Sequence, residues 1–389
     1  MINDTRYLDR PLRWGMVGGG EGSMIGYIHR CAATRDNGFA LLAAAFDIDV
    51  ERGKRFGEKL GIPKERLYPD YKTMFAEEAN RSDGIEVVSI ATPNHMHYGI
   101  LKAALEAGLH AVCEKPLCFN YAQARELVEI AEAKGRIVGI TYGYTGHQMF
   151  RQARKMIENG DLGEIRIINL QFAHGHQSTE VEKDDPGTKW RVTPEFAGPS
   201  YMLGDVGTHV LFFAKTMIPG LILKRVLCTR QSFVKSRAPL EDNAYVLLEY
   251  ENGIVGSMWV SSVNAGCDHG QKIRVSGSKA SIEWWDERPN VMKYEVQGQP
   301  QGLMYRGTGY LYPEAREEDR IVGGHQEGLF EAWANLYRRF ALAMDAKNHH
   351  NEKFLESFWY PGIKDGADGV KFVEKCVQSA DAGGIWIDY

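Results

Sequence analysis

Between Leu12 and about Tyr144, short apolar runs alternate with longer amphipathic stretches. The runs cover residues 12–17, 40–46, 85–90, 109–113 and 137–141, and the helical patterns between them include residues 50–60, 96–107 and 122–133. Nearly continuous apolar strands separated by helices are typical of a parallel sheet that is buried on both faces. Because crossovers between parallel strands are right-handed, such a sheet is doubly wound. The sequence therefore predicts an α/β domain over residues 1–144.

A glycine cluster follows the first predicted strand, where residues 18–26 read Gly-Gly-Gly-Glu-Gly-Ser-Met-Ile-Gly. Glycines at this point allow a tight turn close to a pyrophosphate, and the next helix offers free N–H groups. The third glycine of a G-x-G-x-x-G motif falls on Ser23, so Gly26 is the alternative for that role after a longer loop. A plain tight turn is the simpler interpretation, but the position between strand and helix favours a dinucleotide-binding Rossmann domain. The predicted contacts in this segment are Gly18, Gly20, Ser23, Met24 and Ile25.

Asp47 lies at the end of the second predicted strand, in the sequence Phe-Asp-Ile-Asp. A carboxylate at this position accepts hydrogen bonds from the adenosine ribose and repels a 2′-phosphate, so it favours NAD over NADP. The alternative is that the acidic residues cap the following helix, a role that Asp49 could serve equally well.

From Asp161 onward the pattern becomes β-rich. The segments cover residues 165–173, 222–234, 244–250, 254–263, 273–276 and 281–285. Asn252-Gly253 indicates a two-residue hairpin, and residues 277–279 indicate another short turn. Successive strands joined by tight turns favour a mainly antiparallel sheet. With amphipathic helices predicted over residues 324–346 and 366–380, residues 145–389 are expected to form an α+β domain with a large, mainly antiparallel sheet.

Asp205 and His209 lie on a helix predicted over residues 205–216, which interrupts these strands. Their spacing of four residues places both side chains on one face of the helix. Asp205 would occupy the first turn, where the helix dipole stabilises a carboxylate. An apolar run follows His209, so a buried core histidine is the simpler interpretation of that residue alone. Paired with Asp205, it is a candidate general base, since imidazole titrates near neutral pH.

Two further motifs follow predicted strands: residues 91–97 read Ala-Thr-Pro-Asn-His-Met-His, and residues 114–116 read Glu-Lys-Pro. Together with the glycine loop, the acidic strand end and residues 204–209 (Gly-Asp-Val-Gly-Thr-His), they resemble the Gfo/Idh/MocA oxidoreductase family, which includes inositol, glucose–fructose and related sugar dehydrogenases. The resemblance implies hydride transfer between NAD and a hydroxyl-bearing carbon of a small sugar or polyol. The expected substrates are cyclic polyols, monosaccharides, anhydrosugars and glycosides.

The resemblance also implies roles for individual residues. The expected cofactor contacts are Thr92, Pro93, Asn94, His97, Glu114 and Lys115, and Tyr142 follows the last parallel strand, where it could reach the nicotinamide. The expected catalytic residues are Lys115, Asp205 and His209, and either Lys115 or His209 could be the base. Pro116 restricts Lys115 to an extended backbone and could carry a cis bond. The expected substrate contacts include Trp190, Arg191 and His325, although capping or solvent exposure is an equal alternative for His325.

Several classes of function are not expected. The net charge of −5 argues against a nucleic-acid binder, and no run approaches the ~18 apolar residues of a membrane span. Residues 1–13 lack the apolar core of a signal peptide, so we expect a cytoplasmic protein. No metal site is expected, because neither the histidines of residues 95–97 nor those of residues 174–176 have further ligands nearby in sequence. The six cysteines are dispersed and are expected to be structural.

Two alternative functions remain open for a chain with these motifs. One is a glycoside hydrolase that retains NAD and oxidises the sugar only transiently. The other is a non-catalytic dinucleotide-binding regulator, which the presence of Lys115, Asp205 and His209 disfavours. Whatever the function, the resemblance implies a homodimer or homotetramer in which the open face of the second sheet packs against another subunit.

Overall fold

The computed structural model describes residues 7–389; the first six residues, part of the stretch considered for a signal peptide, lie outside it. The chain forms two compact units. The parallel-sheet unit holds the described residues up to Gly143 together with Trp333–Ala367, and the large-sheet unit holds Tyr144–Ala332 together with Asp368–Tyr389. Within residues 7–389, no helix has both the length and the apolar character that crossing a membrane requires.

The parallel-sheet unit contains the predicted doubly wound sheet. Its strands β1 (Leu12–Gly18), β2 (Phe39–Ala45), β3 (Val87–Ala91), β4 (His110–Cys113) and β5 (Val138–Ile140) pair in parallel in the order β2-β1-β3-β4-β5. The helices that follow the strands are α1 (Met24–Arg35), α2 (Val50–Lys59), α3 (Tyr71–Glu78), α4 (His97–Glu106) and α5 (Tyr121–Lys134). The alternation read from the sequence is confirmed, and α3 is an element that it did not predict.

Side-chain caps determine where several of these helices begin. The carboxylate of Asp49 accepts a hydrogen bond from the Arg52 N–H at 3.0 Å, and Asp70 and Asn120 cap α3 and α5 in the same way. Such caps satisfy backbone donors that have no partner inside the helix. Because Asp49 is the cap of α2, Asp47 is left for another role. Gly135, in the left-handed conformation at φ 60°, ends α5.

The large-sheet unit contains nine strands and several helices. The strands are β6 (Ile165–Ala173), β7 (Leu223–Gln231), β8 (Asn243–Tyr250), β9 (Val255–Ser261), β10 (Gln271–Gly277), β11 (Ala280–Trp285), β12 (Val291–Val296), β13 (Gly302–Tyr305) and β14 (Ile387–Asp388). Their order is β13-β12-β11-β10-β6-β9-β8-β7-β14, and all neighbours are antiparallel except the parallel pair β6 and β9. The predicted mainly antiparallel sheet is confirmed, whereas β12, β13 and β14 were not predicted.

The remaining helices complete the chain. They are α6 (Gln148–Glu158), α7 (Pro186–Lys189), α8 (Pro194–Ala197), α9 (Thr208–Met217), α10 (Pro313–Arg316), α11 (Leu329–Asn348), α12 (Glu352–Ser357) and α13 (Ile363–Asp381). One face of the large sheet packs against α6 and α9, with Phe150 and Phe213 fully buried there. On β6, Ile168, Leu170 and Phe172 face this core, since alternate residues of a strand point to the same side.

Two local predictions are wrong. The hairpin between β8 and β9 has three loop residues instead of two: Tyr250 pairs with Ile254, and Gly253 adopts φ 79°. A left-handed glycine in third position closes such a loop. The late helix begins at Leu329, and not at Gly324, because the preceding backbone is bonded elsewhere. Arg306 donates to the His325 carbonyl oxygen at 2.7 Å, and Asn290 donates to the Glu327 carbonyl oxygen at 2.8 Å.

His110 makes the stability of the parallel-sheet unit dependent on pH. Its ring is buried, its Nδ1 accepts from the Ile137 N–H at 2.9 Å, and its Nε2 donates to Asn348 Oδ1 at 3.0 Å. Burial lowers the pKa of His110 to about 4. Since an unfolded histidine titrates near ~6.5, the unfolded chain binds more protons between these values. The contribution of His110 to the free energy of unfolding should therefore be fully present above this window and be lost as the pH falls through it.

We predict that His110→Gln weakens this dependence. The difference in free energy of unfolding between wild type and His110→Gln should shrink by about 2 kcal/mol between pH 7 and pH 4.5. Urea denaturation at several pH values measures this difference. The control is His349→Gln, which makes the same substitution at an exposed histidine and measures the effect of the substitution itself. A pH-independent difference for His110→Gln would contradict the prediction.

Candidate active site

Gly18 allows the end of β1 to lie against the end of β3. It pairs with Ala91 and has φ 73°. A Cβ atom at this position would lie 2.5 Å from the Ala91 carbonyl oxygen and 2.7 Å from Thr92 Cγ2. No larger residue fits without moving the backbone. The glycine loop thus starts between β1 and β3, at the point where the strand order reverses and where open parallel sheets bind ligands.

The structure assigns separate roles to Ser23 and Gly26, which the sequence left as alternatives. Ser23 caps α1, and its Oγ accepts from the Gly26 N–H at 3.1 Å. A Cβ atom on Gly26 would lie only 2.2 Å from the Gly19 carbonyl oxygen. Gly26 is therefore the residue that allows α1 to pack closely on the loop. Met24 and Ile25 form the first turn of α1, where backbone N–H groups have no acceptor within the helix.

Asp47 lies beside the glycine loop. A Cβ atom added to Gly20 would come within 3.5 Å of Asp47 Oδ2. Arg52 donates two hydrogen bonds of 2.8 Å to the Asp47 carboxylate, and the Asp49 N–H donates a third at 2.9 Å. Partial burial opposes ionisation of Asp47, but these donors lower its pKa below the ordinary value. Arg52, which the sequence analysis missed, thus holds an ionised carboxylate at the position expected to contact ribose.

His97 links the Thr92 segment to the Lys115-Pro116 segment. It is fully buried, and its ring nitrogens lie 2.9 Å from the Thr92 carbonyl oxygen and 2.8 Å from the Pro116 carbonyl oxygen. Burial lowers the pKa of His97, while the two carbonyl oxygens oppose that shift. Between Thr92 and His97, Pro93 is exposed, whereas Asn94 is buried in a short helical turn. The Thr92 Oγ1 atom is buried and has no hydrogen-bond partner among the described residues.

Glu114 is anchored by a buried network at the end of β4. Its Oε1 lies 3.0 Å from His29 Nε2 and accepts from Thr141 Oγ1 at 2.8 Å. The other nitrogen of His29 bonds to Tyr337 Oη, which contacts Ser89 Oγ at 2.8 Å. Burial alone would raise the pKa of Glu114, but the bond from His29 keeps it below the ordinary value.

The sequence analysis missed His29 and Tyr337, because only the tertiary fold brings them to Glu114. The next peptide bond, Lys115–Pro116, is cis, as the sequence suggested. Tyr142 is buried, and its hydroxyl group donates to the Asp365 carbonyl oxygen at 3.4 Å.

In the large-sheet unit, Asp205 lies in a widened helical turn, and His209 lies in the helix that continues from it. Leu203–Gly207 forms a π-helix that continues directly into α9. Such turns are rare and occur frequently at functional sites. The buried carboxylate of Glu241 holds the start of the turn by accepting from the Leu203 N–H at 3.0 Å and from the Ser200 hydroxyl group. The predicted helix is confirmed, with a π-helical first part.

Arg191 lies beside Asp205. Its Nε is 3.7 Å from Asp205 Oδ2, and its guanidinium group lies 4.4 Å from the centre of the Trp190 ring. The Trp-Arg pair expected from the resemblance is therefore next to Asp205. His325 is exposed in the loop before α11, outside the helix in which it was predicted.

A histidine cluster, comprising His174, His209 and His269, surrounds Phe172 on the core-facing side of the large sheet. The ring centres of these histidines lie 6.0, 6.4 and 4.6 Å from that of Phe172, respectively. Burial lowers the pKa of His174 to about 4, although the nearby Asp205 opposes the shift. The Nδ1 atom of His174 and both amide atoms of Gln271 are buried without a partner among the described residues.

Sequence analysis missed His269 and Gln271. Gln271 lies directly opposite Phe172 across the β10–β6 pair, and only the register of the two strands shows this proximity. Among residues 7–389, no group of three or more histidine, cysteine or acidic side chains could hold a metal ion.

Models of one oxidoreductase family match both parts of the chain. Residues 12–142 match its NAD-binding Rossmann fold, and residues 154–388 match its C-terminal alpha/beta domain. The chain belongs to the Gfo/Idh/MocA oxidoreductase family. The resemblance stated from the sequence motifs is thereby confirmed. This family member is an NAD-dependent oxidoreductase.

Relatives match over the full length of the chain. "Uncharacterized oxidoreductase YfiI" of Bacillus subtilis (strain 168) is 55% identical over 391 residues, covering 100% of both chains. An inositol dehydrogenase homolog from Azotobacter vinelandii, solved in complex with NAD+, is 60% identical with a TM-score of 0.99, covering 100% of both chains. The homolog solved with NADH and myo-inositol is 59% identical with a TM-score of 0.96 and the same coverage.

The residues of the parallel-sheet unit fit a dinucleotide. Gly18 and Gly26 create a close-packed backbone at the switch point, where a side chain would collide with main-chain atoms. Asp47 offers an ionised carboxylate, and Thr92 Oγ1 offers a buried polar atom that lacks a partner in the described chain. These are the features that ribose hydroxyls and phosphates require. NAD, when bound, supplies a carbon that accepts or donates hydride.

We predict that Gly26→Ala weakens NAD binding at least about tenfold, a loss of ~1.4 kcal/mol. The added methyl group would meet the Gly19 backbone, which cannot give way as a flexible side chain could. Isothermal titration calorimetry with NAD measures the effect. The matched control is Gly309→Ala, where an added Cβ atom meets nothing within 4 Å. Unchanged NAD affinity in a folded Gly26→Ala protein would refute the proposed role of this contact.

Proposed function

We propose that this chain is a dehydrogenase that uses NAD to oxidise a ring hydroxyl group of a cyclic polyol of the inositol type. The observation that carries the proposal is the set of buried polar atoms of His174 and Gln271 that lack partners in the described chain, beside Phe172 and the histidine cluster. A buried polar atom without a partner costs about 1–3 kcal/mol. A substrate hydroxyl group or a water molecule that reached these atoms would remove that cost.

The relatives support the same substrate class. The Azotobacter vinelandii homolog that was solved with NADH and myo-inositol shares 59% of its residues with this chain. Aldoses, anhydrosugars and glycosides also present ring hydroxyl groups and remain within the wider class suggested by the motifs. We put cyclic polyols first in this proposal because the homolog solved with myo-inositol is 59% identical to the chain.

Oxidation of a secondary alcohol removes a hydride from the carbon and a proton from its oxygen, leaving a ketone. We assign removal of the proton to His209, whose ring is buried on α9 and close to the rings of Phe172 and Tyr144. Lys115, which the family resemblance implies is catalytic, is assigned to donate a hydrogen bond or a proton as negative charge develops in the reaction. Asp205 is assigned to accept a hydrogen bond from a neighbouring substrate hydroxyl group, with Arg191 and Trp190 beside it.

The first test measures NADH formation by the purified chain. The panel contains inositols, aldoses, anhydrosugars and glucosides, each with NAD and with NADP. We expect turnover of a cyclic polyol with NAD, and at least about tenfold lower kcat/KM with NADP because Asp47 repels a 2′-phosphate. Release of sugar from a glycoside with no net NADH would instead support the NAD-recycling hydrolase. NAD binding without any turnover of the panel would support the non-catalytic regulator.

We predict that His209→Gln and Lys115→Met each lower kcat by about 100-fold or more, because the first removes the proposed proton-transfer group and the second the proposed donor to the developing negative charge. NAD affinity should remain within about threefold for His209→Gln. The matched controls are His349→Gln and Lys353→Met, which replace exposed residues. If His209 is the base, its variant also loses the acidic limb of the pH–kcat profile. Retention of that limb in His209→Gln, with its loss in Lys115→Met, would transfer the role of base to Lys115.

We also propose that the chain forms a homodimer or homotetramer through the outer face of the large sheet. Neighbouring strands present partly exposed apolar side chains on this face, including the stacked rings of Tyr245 and Trp259, whose centres lie 5.9 Å apart. Ile167 and Val255 are direct neighbours across β6 and β9, and each is nearly half exposed. A contiguous apolar face of this kind is typical of protein interfaces. A second copy of the chain is the occupant that the family resemblance implies.

We predict that Tyr245→Glu combined with Leu247→Glu dissociates this oligomer. Leu247 lies two residues from Tyr245 on the same strand face and is 49% exposed. Light scattering during size-exclusion chromatography measures the mass. The control is Ile222→Glu, since Ile222 is 61% exposed but lies just before β7, outside the strand face. A monomeric wild type at micromolar concentration would refute the proposed oligomer.

A further inference from the structure

A chain of three polar side chains extends from the large sheet to the ring beside His209. Asp286 Oδ2 lies 2.7 Å from His269 Nδ1, and His269 Nε2 lies 3.3 Å from Tyr144 Oη. The ring centre of Tyr144 is 5.1 Å from that of His209, and the two planes meet at 77°. This series of side chains thus connects a carboxylate to the residue that we assign as the base.

The chemistry of the three groups fixes the direction of the hydrogen bonds. An ionised carboxylate can only accept, so the proton of His269 lies on Nδ1. The Nε2 atom of a neutral ring then accepts from the Tyr144 hydroxyl group. His147 Nε2 lies 4.0 Å from the other oxygen of Asp286, but burial lowers the pKa of His147 to about 4. His147 is therefore neutral near pH 7 and does not compete for the carboxylate as a cation.

Two adjacent strands hold the carboxylate and the imidazole at fixed separation. His269 lies two residues before β10, and Asp286 directly follows β11, which pairs with β10. The Asp286 N–H donates to the Gln271 carbonyl oxygen at 2.9 Å. Glu287 Oε1 accepts from the N–H groups of His269 and Gly270 at 3.4 and 3.0 Å. The backbone on both sides of the Asp286–His269 pair is thus anchored.

Tyr144 transmits this anchoring to His209. Its ring packs edge-to-face against Phe172 and Phe213 as well as His209, with centre distances of 6.1 and 6.4 Å to the two phenylalanines. A ring that is packed on several sides and bonded through its hydroxyl group cannot turn away without losing both kinds of contact. The Tyr144 ring therefore contacts one side of the His209 imidazole at a fixed position.

We infer that Tyr144 is a positioning residue for His209 and that the Asp286–His269 pair holds Tyr144 in place. This inference rests on the proposed function of His209 as the base. The Tyr144 hydroxyl group acts through the ring that it fixes, so its loss should affect turnover more than binding of the substrate.

The kinetic test uses Tyr144→Phe, Asp286→Asn and the double variant, with saturating NAD and the best substrate of the panel. We expect each single variant to lower kcat five- to twentyfold while KM stays within about twofold. The double variant should be no slower than the slower single variant, because both changes break the same series of hydrogen bonds. The control is Tyr312→Phe, which removes a 2.8 Å bond to Asp161 in the same unit and should leave kcat unchanged. Additive losses, or an unchanged kcat in Tyr144→Phe, would overturn the inference.

A second measurement does not depend on turnover. Histidine side-chain ¹⁵N NMR of the NAD-bound full chain can follow the titration of His209, with the resonance assigned by its loss in His209→Gln. The titration midpoint of His209 should change in both Tyr144→Phe and Asp286→Asn and should not change in Tyr312→Phe. A midpoint that is identical in all four proteins overturns the positioning role. If the wild type turns over no substrate of the panel, the proposed function fails. The NMR measurement still decides whether Asp286, His269 and Tyr144 affect His209.

Discussion

The close contact between Gly19 and Gly26 is the constraint on which the dinucleotide-binding end of the protein depends. With a Cβ atom on Gly26 only 2.2 Å from the Gly19 carbonyl oxygen, α1 could not approach the end of β1. The first turn of α1, the Gly18 loop and the end of β3 all take their positions from that approach. Because backbone atoms form this contact, it cannot be repaired by a change of rotamer. Glycine at position 26 is therefore what allows α1 to pack against the loop, beside the proposed phosphate site.

Buried and partly buried carboxylates organise the candidate functional segments in both units. Glu114 is held by His29 and Thr141, Glu241 by the Leu203 N–H and Ser200, and Asp286 by His269. Each carboxylate lies next to a residue or turn to which we assign a function. An ionised group in a protein interior is tolerated only when several donors surround it. The same donors that make burial possible also fix the geometry of the neighbouring functional residue.

The sequence predicted best where the signal is local. The alternation of apolar runs and helices was sufficient for the parallel sheet, since strand and helix periodicities differ within a few residues. The predicted helix start at Gly324 was wrong: the helix begins at Leu329, because Arg306 and Asn290 bind backbone carbonyl groups that the helical pattern alone would use. For the candidate site, the sequence named the motif residues but not their partners Arg52 and His269. Nothing near Asp47 or Tyr144 in the sequence marks these partners as special.

The sequence by itself determined the fold class, the family, the cofactor and the positions of the motif residues, because periodicity, glycine placement and motif spacing are properties of short segments. Only the tertiary structure decided which side chains hold those residues in place. Tyr337 reaches His29 across 308 residues of chain, and Tyr144 reaches His269 across 125. Such contacts depend on how strands and helices pack, and many different sequences satisfy the same packing. The physical reason is that hydrogen bonds are specific in space, whereas the patterns that predict secondary structure are specific only along the chain.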